Sequence, residues 1–246
     1  MTAIVLAAGQ SKRMNAGTPK VLLPVSGRPL VEYVIDAAEA AGAGRVVLVV
    51  GTGRDLVQSA LERRRVEFAV QREQKGTADA VLACRDLLGA DEEVVVLCGD
   101  APLVTAASIR RLREARDERG ADVSVFTAVL DEPGGYGRII RRADGTIERI
   151  VEKRDAGAEE LAVREVNSGA YSFRWGRVLP CLERIAPSPV SGEYYLTDIV
   201  AEVNRDGGRV VPVPAENPRE MMGANTPEEL ADVAAALAER RGKVEA

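Results

Sequence analysis

A chain of 246 residues is long enough for one large domain or two small ones. Its 38 acidic against 33 basic residues leave a net charge of −5. That gives no general attraction to nucleic acid, so any anion it binds must be met by local groups. It has no histidine, which excludes histidine acid–base catalysis, Ser-His-Asp triads and histidine metal sites.

Chemistry is therefore left to carboxylates, Lys, Arg, backbone and metal. The 46% hydrophobic content allows a sizeable core. Cys84, Cys98 and Cys181 are far apart and form no C-x-x-C. That fits reduced thiols in a cytoplasmic protein better than disulfides or zinc. There is no basic stretch at the N-terminus and no apolar run near the ~20 residues of a membrane span, so no membrane partner is expected. No fixed-period repeat is present.

Ile4–Ala8 is an unbroken apolar run closed by Gly9, the pattern of a strand buried on both faces. The segment after it carries Lys12, Arg13 and Lys20 with no acidic residue among them. Glycine lets the backbone turn sharply and approach a ligand. Consecutive N–H groups in such a turn make a concavity for an anion. Arg13 offers a planar fork of donors that matches phosphate oxygens, and Lys20 a compact point charge. Pro19 fixes its own φ and holds Thr18 extended, so Lys20 is presented from a stiffened segment. The stretch reads as a polyphosphate loop, against the plainer reading of a solvated surface loop. It is not a Walker A loop and lacks the G-x-G-x-x-G dinucleotide fingerprint.

The chain then alternates. A helix is expected over 30–41, ending before Gly42, and a strand over 45–50. A helix over 53–64, a strand over 66–70 and a helix over 77–88 with Thr77 near its cap follow. A buried strand over 93–98 runs into Gly99-Asp100. A helix over 105–116 has arginine-rich spacing that reads as a solvated face, and a strand over 122–129 closes the first half. This order implies an α/β fold with a doubly wound, mostly parallel sheet. Ligands of such sheets sit beyond the carboxyl ends of the strands. Gly9, Gln71 and Gly99-Asp100 fall there and should line one crevice.

The second half reads as a mixed-β subregion. Gly134-Gly135-Tyr136-Gly137 enters a strand, Asp144-Gly145 marks a hairpin, and strands follow over 147–151 and 165–173. A helix is expected over 175–185, another from Glu193 to about Asn204, and a strand over 209–213. Asn225-Thr226-Pro227-Glu228-Glu229 opens a last helix with a cap, Pro at its first position and acids in its first turn.

Asp100, at a strand end beside the basic loop, suits Mg²⁺, which prefers oxygen and takes one or two protein ligands. The alternative is a capping Asp before Pro102. Gln71 offers donor and acceptor to a pyrimidine edge, and Gly76 lets base and backbone meet closely. Gly137, Glu152, Asn167 and Thr197 each read singly as a turn or cap residue.

Leu6 to Gly9, Arg13-Met14, Pro19-Lys20 and Gly27-Arg28-Pro29-Leu30 together resemble the signature of the sugar-nucleotidyltransferase superfamily. Gly135-Tyr136-Gly137-Arg138-Ile139, Glu165-Val166-Asn167-Ser168-Gly169, Glu193-Tyr194-Tyr195-Leu196-Thr197-Asp198 and Gly223-Ala224-Asn225 resemble one subfamily of it, the N-acetylglucosamine-1-phosphate uridylyltransferases. The resemblance implies a Rossmann-like nucleotidyltransferase fold over residues 1–225. A nucleotide-binding half would cover about 1–130 and a sugar-binding half 131–225, with a C-terminal helix over 226–246.

It implies a Mg²⁺-dependent reaction of UTP with N-acetylglucosamine 1-phosphate, releasing pyrophosphate. By the same resemblance Leu6, Ala7, Ala8, Gly9, Gln71, Gly76 and Thr77 hold the uridine. Arg13 and Lys20 hold the triphosphate and, with Asp100, carry catalysis. Asp100 and Asn225 hold the metal. Gly137, Glu152, Asn167, Tyr195 and Thr197 hold the sugar.

The chain departs from the pattern at Cys98, where Tyr or Ser is frequent, and at Ala78-Asp79, where Gly-His is common. Asp79 leaves a carboxylate near the expected base site, so glucose 1-phosphate with UTP or dTTP stays open, as does a non-catalytic sugar-nucleotide binder. Nothing resembles the hexapeptide-repeat β-helix that follows in bifunctional members, and the oligomeric state stays open.

Overall fold

The computed structural model describes residues 1–9 and 17–244, with side chains described through residue 240. Lys12 and Arg13, expected in the basic loop, lie outside the described residues. In chain order the strands are β1 (Thr2–Leu6), β2 (Pro24–Val25), β3 (Arg28–Pro29), β4 (Arg45–Val50), β5 (Glu67–Val70), β6 (Glu93–Cys98), β7 (Val123–Val129), β8 (Arg138–Arg141), β9 (Ile147–Val151), β10 (Glu165–Arg174) and β11 (Val210–Pro214). The helices are α1 (Leu30–Ala40), α2 (Arg54–Ala60), α3 (Thr77–Leu82), α4 (Ala106–Glu118), α5 (Ala158–Leu161), α6 (Trp175–Arg184), α7 (Ile199–Arg205) and α8 (Pro227–Val244).

The main sheet runs β11-β7-β10-β6-β1-β4-β5, with β8 and β9 attached beside β10. β1 pairs in parallel with both β4 and β6, and β4 with β5. The expected α/β class with a mostly parallel sheet is what forms. β10 departs from it, lying antiparallel between β6 and β7. A strand that enters against its neighbours begins where they end. The start of β10 is thereby brought to the carboxyl edge of β6, which sets the second half of the chain against the first.

The apolar run of β1 is explained by its two faces. Ile4 packs in one cluster with Val47, Val96, Phe173 and Trp175. Val5 packs in the other with Leu48, Leu97, Ile109 and Phe126. A strand covered on both sides has no position where a polar side chain could reach water. α8 lays Val233 and Leu237 on a third, smaller cluster with Leu30 and Leu103.

Four local expectations change, the simplest being the helix expected over 53–64, which spans only Arg54–Ala60. The arginine-rich face of α4 is not wholly solvated, because Arg116 is buried. Its guanidinium donates to Glu93 on β6 (2.7 Å), to Ser172 on β10 (3.1 Å) and to Asp117 (2.8 Å). A buried guanidinium needs such partners, and these tie α4 to the β6–β10 seam. The helix expected over 77–88 ends at Leu82 and is followed by a 3₁₀ turn over Arg85–Leu87. The helix expected from Glu193 begins later, as a 3₁₀ turn at Leu196–Asp198 leading into α7. Residue 194 is held outside the helix, its N–H given to Lys75 O (2.7 Å) and its carbonyl accepting from Ala78 N (2.9 Å).

Candidate active site

The carboxyl ends of β1, β5 and β6 deliver Ala8-Gly9, Gln71 and Gly99-Asp100 to one edge of the sheet. There Ala8, Gly9, Gln71 and Asp100 line a crevice of about 370 Å³ together with Lys20, Gln74, Gly76, Thr77 and Glu193, while Gly99 lies behind it. Lys20 opens a 3₁₀ turn (Lys20–Leu22) whose next residue, Val21, is buried. Leu22 N bonds Pro19 O and Leu23 N bonds Lys20 O, so the ammonium is carried on a short, anchored turn. Gly99 N donates to Leu6 O (3.0 Å), which seats Asp100 just past the strand.

Asn225 is aimed by its neighbours. Ala224 N bonds Asp100 O (3.1 Å). Glu229 accepts from Asn225 N (2.6 Å) while Thr226 Oγ1 accepts from Glu229 N (3.2 Å), so the first turn of α8 is capped by Thr226 and holds Asn225 through Glu229. The result is a cluster built from three distant stretches. Lys20 Nζ forms an ion pair with Asp100 Oδ2 and donates to Asn225 Oδ1 (2.7 Å).

A divalent cation fits this pair of oxygens. One carboxylate and one carboxamide oxygen already converge on a single positive group, and both are hard oxygen donors of the kind Mg²⁺ takes. Two protein oxygens would leave the remaining positions to phosphate and water, the arrangement this ion favours where it handles phosphates.

A second hollow of about 200 Å³ adjoins the first and shares Cys98 and Asp100 with it. Gly137, Glu152, Asn167 and Asn225 line it, with Tyr136, Ser168, Gly169 and Met221. The reason lies in β10. Its ladder with β7 is interrupted between Asn167 and Tyr171, a bulge that turns the strand at the site. Within that bulge Gly169 sits at φ 79°, and a Cβ there would fall 2.7 Å from Cys98 Sγ. Asn167 Oδ1 accepts from Gly169 N (3.1 Å), and Asn167 N donates to Gly137 O (2.9 Å). Thr197 joins the hollow through Glu152, donating to its Oε1 (3.1 Å).

Burial raises the Glu152 carboxyl above the usual range. The Thr197 bond opposes the shift, and the charges of Asp198, Asp155 and Glu193 add to it. Burial first, then the charge of Asp100, push the Cys98 thiol up to about 12, so it presents a neutral S–H between the hollows.

Two expected residues are placed otherwise. Ala7 is buried and gives its N–H to Val49 O (2.9 Å), so it belongs to the sheet rather than the crevice lining. Tyr195 turns its hydroxyl to Ser191 Oγ (2.6 Å), within its own segment. Three residues not singled out from sequence also matter: Gln74, whose Nε2 bonds Ala8 O; Glu193 on the crevice wall; and Tyr136, whose hydroxyl donates to Met221 O (3.0 Å). Gln74 lies between Gln71 and Gly76, the two residues expected at the base site, three residues from the first. Nothing local marks Tyr136 beyond its glycine-rich neighbours.

The fold is an α/β domain whose mostly parallel sheet carries a cluster of one cation, one carboxylate and one carboxamide at its carboxyl edge. The solved structure titled "The Crystal Structure of UDP-glucose pyrophosphorylase complexed with UDP-glucose" has the same fold, with a TM-score of 0.79 at 18% identity over 97% of this chain and 98% of that one. Residues 3–167 match the family model of the MobA-like NTP transferase domain, and the chain belongs to that family. It is 44% identical over 239 residues to the "Bifunctional protein GlmU" of Sorangium cellulosum, covering 94% of this chain and 50% of that protein. It is 41% identical over 240 residues to the protein of the same name in Heliobacterium modesticaldum, covering 97% and 52%. The chain thus spans about half the length of these curated relatives.

Proposed function

We propose that the chain joins UTP to N-acetylglucosamine 1-phosphate, giving UDP-N-acetylglucosamine and pyrophosphate, in the cytoplasm. The observation that carries this reading is the Lys20–Asp100–Asn225 cluster at the meeting point of the two hollows. A nucleotide in the first and a sugar phosphate in the second would bring two phosphates together there. The nucleotide would lie along Leu6, Ala8, Gly9, Gln71, Gly76 and Thr77. The sugar would lie against Gly137, Glu152, Asn167 and Thr197, with Tyr195 in a supporting place, and Ala7 would support the nucleotide side from behind the crevice wall.

The sugar-phosphate oxygen attacks the α-phosphorus in line. A P–O bond forms as the bond between the α-phosphorus and the bridging oxygen breaks, and pyrophosphate leaves with the electron pair. The attacking oxygen is already an anion near neutral pH, so no general base is required, in keeping with a chain that has no histidine. What remains is to hold two anions in line and to neutralise charge as it develops. Lys20 does this from its anchored turn, and Arg13 is assigned the same work. Asp100 and Asn225 would hold Mg²⁺, whose charge withdraws electron density from the phosphate oxygens when it is bound.

The test is pyrophosphate release from a panel of nucleoside triphosphates against sugar 1-phosphates, with Mg²⁺. The pair UTP and N-acetylglucosamine 1-phosphate should turn over fastest. Faster turnover of glucose 1-phosphate or of dTTP would reassign the substrates, and no release with any pair would leave a sugar-nucleotide binder. In the same assay Lys20→Ala should lose about 10²-fold or more in turnover with its fold intact by circular dichroism.

A further inference from the structure

Asp79 stands where it is expected to face the base, yet its carboxylate is turned to Gln71. The Gln71 side chain is buried at the crevice wall. Its Nε2 donates to Gly76 O (2.9 Å) and to Asp79 Oδ2 (2.8 Å). A primary amide has two N–H bonds, and both are spent. Rotating the amide by half a turn would set its oxygen against a carbonyl and a carboxylate, three acceptors with no proton among them. The amide therefore has one orientation, and what it can still offer a ligand is the acceptor Oε1. Beside it Gly76, whose carbonyl is engaged by the same amide, gives its N–H to no described residue. Asp79 itself lines a neighbouring hollow, with Arg72, Lys75 and Arg85, and Gln71 borders both that hollow and the crevice.

We infer that Asp79 is a positioning residue for base selection. It locks Gln71 as an acceptor, so that the crevice takes a pyrimidine whose ring N–H is flanked by carbonyls and refuses one whose ring nitrogen is itself an acceptor. Uracil and thymine have the first pattern and cytosine the second. The inference rests on reading the crevice as the nucleotide site. Gly76 O alone holds one N–H of the amide. Asp79 supplies the second acceptor, which makes the wrong rotamer costly. The acceptor, and not the negative charge, does this, so an Asn at 79 that keeps an oxygen toward Gln71 retains the lock.

The experiment is calorimetric binding of UTP, dTTP and CTP, without sugar phosphate, to the wild type and to Asp79→Ala and Asp79→Asn. The wild type should favour UTP or dTTP over CTP by roughly ten- to hundredfold, the cost of leaving one buried polar group mispaired. Asp79→Ala should bring that ratio to within about threefold of unity, while Asp79→Asn stays near the wild type and both variants keep a cooperative melt. A wild type that binds CTP as well as UTP and dTTP, an alanine variant with an unchanged ratio, or an equal loss in the asparagine variant would overturn it. A preference for dTTP that the alanine variant erases would reassign the substrate pair and leave the role of Asp79 standing.

Discussion

At the scale of single residues, burial beside the second hollow bends the ordinary behaviour of a carboxyl. Asp198 is a clear case. Burial first, and then the charges of Asp155 and Glu202, raise its carboxyl from the usual range to about 6. Its side chain makes no capping bond at the start of α7. An acid whose folded value lies above its unfolded one binds more protons when folded. It costs nothing at low pH, destabilises progressively as pH rises between the two values, and carries its full cost above about 6. Asp198→Asn removes the charge and keeps the shape. Thermal melts should therefore show the variant gaining stability at about pH 8, with the gain shrinking toward zero by about pH 4. A gain of the same size at both would mean that titration of this carboxyl is not its source.

Between residues and the whole stands the joint between the polar loop over 71–76 and the segment over 193–198. Gly76 sits at φ 132°, and a Cβ there would fall on the backbone oxygen and nitrogen of Tyr194. The two stretches pair by main chain on either side of it, and Thr77 Oγ1 accepts from Leu196 N (2.8 Å). Glycine was expected here for a ligand's approach. Its structural duty is to let two backbones touch, one from each half of the chain. Gly76→Ala carries both a disfavoured φ and a backbone clash, and should cost about 2 kcal/mol or more. Denaturant unfolding measures the loss, and a variant within experimental error of the wild type would show that this joint is not tightly held. Because Gln71 and Gly76 bound the same crevice, weaker nucleotide binding should accompany the loss.

For the molecule as a whole, the division of labour proposed between residues 1–130 and 131–225 is not a division of folding. β10 comes from the second half and lies between β6 and β7 of the first. Without it, two central strands become edges, and Val94, Val96, Val123 and Val125, all buried in the whole chain, lose their cover. A fragment ending at residue 130 should therefore lack a cooperative melt and expose hydrophobic surface to a reporter dye. A sharp, reversible transition in that fragment would show that the first half folds by itself.

Most of the chain order of strands and helices, the doubly covered first strand, the stiffened presentation of Lys20 and the Asp100 strand end were legible in the amino-acid order, because each depends on residues a few positions apart; the β2–β3 pair, α5 and the 3₁₀ turn at Lys20 were not. Periodicity, glycine and proline report local backbone geometry, and that is all such elements require. Whether Arg116 would face water or the seam beneath it, and whether Asp79 would meet a base or Gln71, were not legible, since both depend on partners that only folding brings near. The placement of β10 was hidden for the same reason: an apolar strand has the same pattern whichever neighbours it pairs with and in whichever direction. Sequence alone determined which charged and polar groups were available at the strand ends. The antiparallel entry of one strand decided that they would meet the second hollow at Asp100.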